Sequence, residues 1–148
     1  MSDGDDMLIS TRGRYALRVI IELCAHERDE FVPLSLIAEN QEISLKYLES
    51  IAAILVKAHF IEGVRGKNGG YRLTKAPSEY SVGEILKLTE GTLAPVNCLG
   101  ESTPSCSRKA ICKTLPMWEK LDTIISNYLY SVKISDLIAP ESVGDWVI

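Results

Sequence analysis

Two short helical patterns, followed at once by a glycine-rich basic segment, limit most strongly what this chain can fold into. Pro33 opens the first pattern, over 34–39, and Ser44 suits the N-cap position of the second. Apolar residues then recur every three or four positions, at Leu45, Leu48, Ile51 and Leu55. Two alternating runs, 61–65 and 71–73, flank a glycine-rich turn that is typical of a β-hairpin. This order predicts a winged helix-turn-helix.

Further helices are expected on both sides of this unit. Ser10 or Thr11 can cap a first helix, whose apolar positions recur at helical spacing. Ser81 and Glu84 form a capping-box pattern at the start of a helix over 81–90. The fold class is therefore predicted to be mainly α, with the hairpin as its only β-structure.

The C-terminal half divides into an irregular loop and a long helix. Residues 91–111 break the helical periodicity, and a broad apolar stripe predicts a helix from about residue 114 to 130. Such a stripe is usually buried, here against the domain's own core or against a second copy. We expect a DNA-binding unit, a region with the cysteine loop and the long helix, and two tails, over 7–78, 79–139, 1–6 and 140–148.

The charge distribution is more informative than the net charge of −4 over 148 residues. Residues 7–76 carry ten Lys or Arg against eight acids, whereas residues 77–148 carry six against nine. Nucleic-acid binding depends on a basic face, so the acidic total weakens that interpretation without excluding it. No apolar run approaches the roughly 18 residues of a membrane span, and no secretory signal opens the chain, so we expect a cytoplasmic protein.

Polar side chains off the apolar stripe of the second patterned helix would face DNA if that helix entered a major groove. They are Ser44, Lys46, Tyr47, Glu49 and Ser50. Such side chains can reach base edges, and Glu49 could accept a hydrogen bond from a cytosine amino group. A solvated helix face is the alternative interpretation.

The hairpin tip and the start of the first helix supply further candidates for DNA contacts. Arg65 and Lys67 flank the glycine-rich turn, and Arg65 could enter or approach the minor groove. Arg12, Arg14 and Tyr15 could bind phosphates beside it. The turn lacks the pattern of a nucleotide-binding phosphate loop. A plain surface turn is the alternative.

Three of the four cysteines form a Cys-x7-Cys-x5-Cys cluster at Cys98, Cys106 and Cys112. Thiolates gathered on an irregular loop suit an iron–sulfur cluster, and a thiol redox switch, a zinc site and inert thiols are the alternatives. Cys24 lies on an apolar helix face and is expected to be a small core residue. No catalytic constellation is present, so we do not expect an enzyme.

The segments 10–17, 43–49 and 64–73, together with the cysteine trio, resemble the IscR-like winged-helix transcription regulators. The resemblance implies a homodimer formed through the long C-terminal helix, which reads a palindromic operator in double-stranded DNA. It also implies a 2Fe–2S or 4Fe–4S cluster bound by Cys98, Cys106 and Cys112, and base reading by Lys46, Glu49 and Arg65.

The chain departs from the family at the fourth cluster ligand. Leu115 stands where IscR has a histidine, and Arg14 stands where the nitric-oxide-sensing branch has a carboxylate. The fourth ligand is therefore open. We expect a repressor that senses iron–sulfur, iron or redox status. The alternatives are a cluster-free, CymR-like regulator of cysteine metabolism controlled by a partner enzyme or thiol oxidation, and a metal-binding interaction module without a DNA target.

Overall fold

The computed structural model describes residues 9–99 and 107–139, and within them helices dominate, as the sequence predicts. The fold class of a mainly helical winged helix-turn-helix is confirmed. In chain order the elements are α1 (Thr11–Cys24), α2 (Leu34–Gln41), α3 (Leu45–Lys57), β1 (Ile61–Val64), β2 (Gly70–Leu73), α4 (Val82–Glu90), α5 (Leu115–Ser131) and α6 (Ile134–Ile138), with short 3-10 turns at Pro77–Glu79 and Asn97–Leu99.

Side-chain caps fix the first residues of three helices. The Ser10 hydroxyl accepts from the Gly13 N–H at 3.1 Å, and the Ser44 hydroxyl accepts from the Tyr47 N–H at 3.2 Å. At α4 the Ser81 hydroxyl accepts from the Glu84 N–H at 3.1 Å, and the Glu84 carboxylate accepts from the Ser81 N–H at 3.0 Å. These bonds satisfy N–H groups that have no partner inside the helix, so the predicted helix starts are confirmed.

The wing is a two-stranded antiparallel hairpin in which Ile61 pairs with Leu73 and Val64 with Gly70. β1 therefore ends one residue before the predicted run does, and Arg65 belongs to the turn. Gly70 has a φ of 153°, and a Cβ there would collide with the Val32 carbonyl. The Val32 backbone bonds to Tyr71 on the outer side of β2, and this contact ties the hairpin to the segment before α2.

The core lies between α1, α2, α3, the base of the wing, α4 and α6. Tyr80 is fully buried, and its hydroxyl donates to the Phe60 carbonyl at 2.6 Å and accepts from the Thr74 and Lys75 N–H groups at 3.1 Å each. One side chain thereby joins the wing to the segment that leads into α4. The other fully buried large side chains are Val19, Ile20, Val32, Ile37, Leu48, Ile51, Leu55, Ile61, Ile85 and Ile134.

Two residues of α3 are placed differently from the sequence prediction. Leu45, assigned to the apolar stripe, is 43% exposed, whereas Leu48 in the same turn is fully buried. Tyr47, assigned to the polar face, is partly buried and packs against the core. Its ring meets the Tyr15 ring edge-on, with the centroids 5.6 Å apart, so an α1 residue covers the apolar part of Tyr47.

The long helix α5 contains no buried residue. One face packs on α4, where Tyr130 lies over Gly83 so closely that a Cβ at that glycine would stand 2.6 Å from the ring. Another face exposes Met117, Ile124 and Tyr128. No described helix combines the length and apolar composition that a membrane crossing needs.

Candidate nucleic-acid interface and cysteine loop

The exposed face of α3 carries most of the side chains predicted to read bases. Ser44, Lys46, Glu49 and Ser50 are exposed. The Ser50 hydroxyl donates to the Tyr47 carbonyl at 2.7 Å, which leaves its oxygen lone pairs free to accept. The structure thus places one hydroxyl at the N-cap of this helix, and a cation, a carboxylate and a second hydroxyl on its first two turns.

A groove with a volume of about 650 Å³ separates α3 from the wing. Its floor is apolar and includes Leu34, Val56 and Val64, and Lys57 and Arg65 contribute cations to its lining. Lys67, at the tip of the turn, is exposed as well. A groove with an apolar floor and cationic edges suits a sugar–phosphate strand, since deoxyribose can pack on the floor while phosphates meet the cations.

The start of α1 adjoins α3 through the contact between the Tyr15 and Tyr47 rings. Arg12 and Arg14 are exposed, and the Arg14 guanidinium donates to the Thr11 hydroxyl at 3.2 Å. Tyr15 is partly buried, so its ring is mainly occupied by packing on Tyr47. The candidate phosphate contacts of α1 therefore lie beside the first turn of α3.

A buried carboxylate that the sequence analysis missed fastens the helix-turn-helix to α1. The Glu22 carboxylate accepts from Asn40 Nδ2 at 2.9 Å and from Gln41 Nε2 at 2.7 Å, both at the end of α2. His26 Nε2 lies 2.9 Å from Glu22 Oε2, the oxygen that also accepts from Asn40. Burial raises the pKa of Glu22, but the hydrogen bonds from Asn40, Gln41 and His26 outweigh it and hold the pKa below the ordinary value.

Arg18 completes this network from the preceding turn of α1. Its guanidinium donates to Gln41 Oε1 at 2.9 Å and also to the Gln41 carbonyl. The same guanidinium stacks 5.1 Å from the centroid of the Tyr15 ring. One continuous set of side-chain contacts along α1 therefore supports the turn before α3, and it consists of Tyr15, Arg18 and Glu22. Their spacing of three and four residues was the available signal, but it could not identify partners about 20 residues away.

The cysteine loop is described in part. Cys98 is exposed in the turn Asn97–Leu99, Cys112 is partly buried just before α5, and both thiols are free. Cys112 Sγ lies 3.4 Å from the Thr114 hydroxyl oxygen. Hydrogen bonding from Thr114 lowers the pKa of the Cys112 thiol and favours its thiolate. Cys106 lies outside the described residues.

These thiols suit a metal centre in their chemistry, because accessible thiolates are the soft ligands that iron–sulfur clusters use. Within residues 9–99 and 107–139 no group of three His, Cys, Asp or Glu side chains is placed to hold a metal ion. Leu115 and Arg14 cannot serve as the fourth ligand, since neither side chain offers a lone pair to a metal. By contrast, Cys24 packs against the core as expected, and burial raises the pKa of its thiol.

Comparison with known proteins supports the winged-helix assignment along almost the whole chain. The family model of Rrf2, an iron-dependent transcriptional regulator, matches residues 9–140. The transcriptional regulator IscR of Aliivibrio salmonicida is 33% identical over 137 residues, which are 93% of this chain and 80% of that relative. The protein rrf2 of Nitratidesulfovibrio vulgaris is 33% identical over 136 residues, 92% of this chain and 90% of that relative.

Two solved structures have similar folds. The IscR of T. potens has a TM-score of 0.70 and 29% identity, across 95% of this chain and 92% of that one. CymR (YrzC), the global cysteine regulator of B. subtilis, has a TM-score of 0.70 and 31% identity, across 88% of this chain and 95% of that one. A protein named IscR and one named as a global cysteine regulator thus both have folds similar to this one. The chain belongs to the Rrf2 family of transcriptional regulators, a family of DNA-binding proteins rather than enzymes.

Proposed function

We propose that this regulator represses transcription by binding a palindromic operator through α3, the wing and the start of α1. The observation that carries the proposal is the grouping of exposed cations on these elements in a chain whose net charge is −4. They are Arg12, Arg14, Lys46, Arg65 and Lys67. Phosphate contacts of this kind supply affinity and register, and Ser44, Glu49 and Ser50 on α3 supply base contacts.

The operator-binding form is proposed to be a homodimer that acts in the cytoplasm. The exposed Met117, Ile124 and Tyr128 of α5 support this proposal, because a row of large apolar side chains on a long helix is usually covered by a partner. Two copies related by a two-fold axis would place their α3 helices at half-sites about one helical turn, roughly 34 Å, apart. In this arrangement residues 7–78 form the DNA-binding unit and residues 79–139 the sensing and dimerisation region.

The proposed signal is iron–sulfur, iron or redox status, detected by Cys98, Cys106 and Cys112. These residues would hold a 2Fe–2S or 4Fe–4S cluster, whose iron supplies a redox-active, labile centre. Hydrogen bonds connect the start of this loop to the proposed DNA-binding face. Glu90, the last residue of α4, accepts from the Ser10 N–H at 2.9 Å and from the Ser10 hydroxyl at 2.6 Å, so the loop begins at a residue that holds the start of α1.

A cluster-free regulator of cysteine metabolism, controlled by a partner enzyme or by thiol oxidation, is the second candidate. The lowered pKa of Cys112 favours it, because an accessible thiolate reacts with oxidants faster than a thiol does. The similarity of this chain to CymR is compatible with this second candidate.

Anaerobic purification, followed by an absorbance spectrum and assays of iron and acid-labile sulfide, separates the two candidates. We expect visible bands that disappear in Cys98→Ala, Cys106→Ala or Cys112→Ala protein. Cys24→Ala is the matched control and should keep the bands, since Cys24 packs in the core far from the loop in sequence. A protein that stays colourless after incubation with iron and sulfide would contradict the cluster and favour the thiol-based regulator.

A further inference from the structure

An exposed leucine stands at the head of the DNA-facing side of α3. Leu45 is the first residue of this helix and is 43% exposed. Glu49, one turn later on the same face, is exposed too, and the neighbours Ser44 and Lys46 are polar and exposed. A single exposed leucine is common on protein surfaces. Here, however, the leucine occupies a position among the side chains that the proposed function brings to the base edges.

Leu45 contributes little to the core of the described structure. The buried side of α3 consists of Leu48, Ile51, Ala52 and Leu55, each with no exposed area. Leu45 lies outside this group and keeps 43% of its surface exposed. Its apolar side chain is therefore available to a partner of this face, which the proposed function identifies as the floor of a major groove.

We propose that Leu45 recognises a thymine by packing against its C5-methyl group. This inference rests on the proposed use of α3 as the recognition helix. In the major groove the methyl group of thymine is the apolar feature that distinguishes the base pairs. A leucine has no donor or acceptor for the other base edges, and it would remove water from them without replacing the lost hydrogen bonds. The side chain thus favours thymine and disfavours cytosine at its position.

The helix geometry limits where this thymine lies. Leu45 and Glu49 are four residues apart, which corresponds to about 6 Å along a helix axis. Base pairs follow each other every 3.4 Å or so along the duplex. The thymine should therefore lie within about two base pairs of the pair that Glu49 contacts, and its symmetry mate should occupy the other half-site of a palindrome.

Replacement of single thymines by deoxyuridine tests the inference directly, because this change removes only the methyl group. The operator is first selected from random duplexes with the purified full chain. Each thymine is then replaced in both half-sites, and the affinity is measured by fluorescence anisotropy. One position should lose about four-fold in affinity per half-site, the value expected for one buried methyl group.

Combining substitutions of Leu45 with the deoxyuridine substitution tests whether this residue contacts the thymine methyl group. With Leu45→Ala the same deoxyuridine substitution should cost nothing further, whereas Leu45→Met, which keeps an apolar side chain of similar reach, should retain the loss. Leu36→Ala is the matched control, since Leu36 is also an exposed leucine, at 36%, but lies on α2. It should leave the deoxyuridine effect unchanged.

The outcomes separate this inference from the proposed function. Deoxyuridine effects that are absent, or that persist equally in Leu45→Ala protein, would overturn the role of Leu45 while Lys46→Ala and Arg65→Ala still weaken binding. If no duplex is enriched, or if the Lys46 and Arg65 variants bind as the unmodified protein does, the proposed interface itself is wrong, and the thymine contact is rejected with it.

Discussion

At the scale of single residues, Glu22 helps to hold the helix-turn-helix against α1. It is a nearly buried carboxylate whose hydrogen bonds link α1 to Asn40 and Gln41 at the end of α2. In Glu22→Gln protein an NH2 group replaces one carboxylate oxygen and faces amide groups that also donate. Because donors cannot bond to each other, we expect a loss of about 1–3 kcal/mol in the free energy of unfolding at neutral pH. Urea unfolding measures this loss, and exposed Glu39→Gln on α2 is the matched control.

The same residue gives a pH dependence of defined sign. The pKa of Glu22 is lowered in the folded state, so its ionised form stabilises the fold above the pKa of an unfolded glutamate. That contribution is lost as the pH falls through the folded-state pKa. The stability difference between the unmodified protein and Glu22→Gln should therefore shrink between about pH 5 and pH 3. A difference that stays constant over this interval would contradict the lowered pKa.

At the scale of elements, the wing should contribute phosphate contacts that are independent of sequence. Arg65 is the first residue after β1 and lines the groove between the wing and α3. Arg65→Ala should weaken operator binding and reduce the slope of log affinity against log salt by about one, since one fewer counterion is released. Lys75→Ala is a suitable control, because Lys75 faces the Phe60 and Tyr80 rings instead. An unchanged salt slope would mean that Arg65 does not contact phosphate.

The elements were predictable because their signals are local. Ser10, Ser44 and Ser81 act as caps within three residues of their partners, so the sequence alone identifies the helix starts. The support of the turn was not predictable, because Glu22 meets side chains 18 and 19 residues away. Likewise, periodicity placed Leu45 in the stripe, but its exposure depends on how the neighbouring helices pack against α3.

The candidate site, too, was predictable from the sequence only in part. The polar face of α3 and the tip of the wing follow from helical periodicity and from the glycines of the turn, and the exposed positions of Lys46, Glu49 and Arg65 agree with that reasoning. The partly buried setting of Tyr15 and Tyr47 depends on the crossing of two helices, which a linear pattern does not specify. The contact between these two rings thus packs α1 beside α3.

At the scale of the whole molecule, the proposed homodimer makes α5 the element that brings two DNA-binding units together. Ile124 is 52% exposed on α5, so a charge at this position costs one protomer little by itself. In a dimer packed through this face the same charge would be buried without a partner, which is strongly unfavourable. Ile124→Glu should therefore give a folded monomer, and Thr123→Glu, at an exposed position of α5 about a quarter turn away from Ile124, is the matched control for the added charge.

Loss of the dimer should also change how the operator is bound. A dimer that holds one half-site presents its second unit at a high effective concentration, so separation of the protomers should lower the affinity for the full palindrome by about 10²-fold or more. Affinity for an isolated half-site should stay the same, because α3 and the wing are untouched. Sedimentation velocity and anisotropy on full and half operators measure both effects. An Ile124→Glu protein that remains dimeric and binds the palindrome normally would place the dimer interface elsewhere.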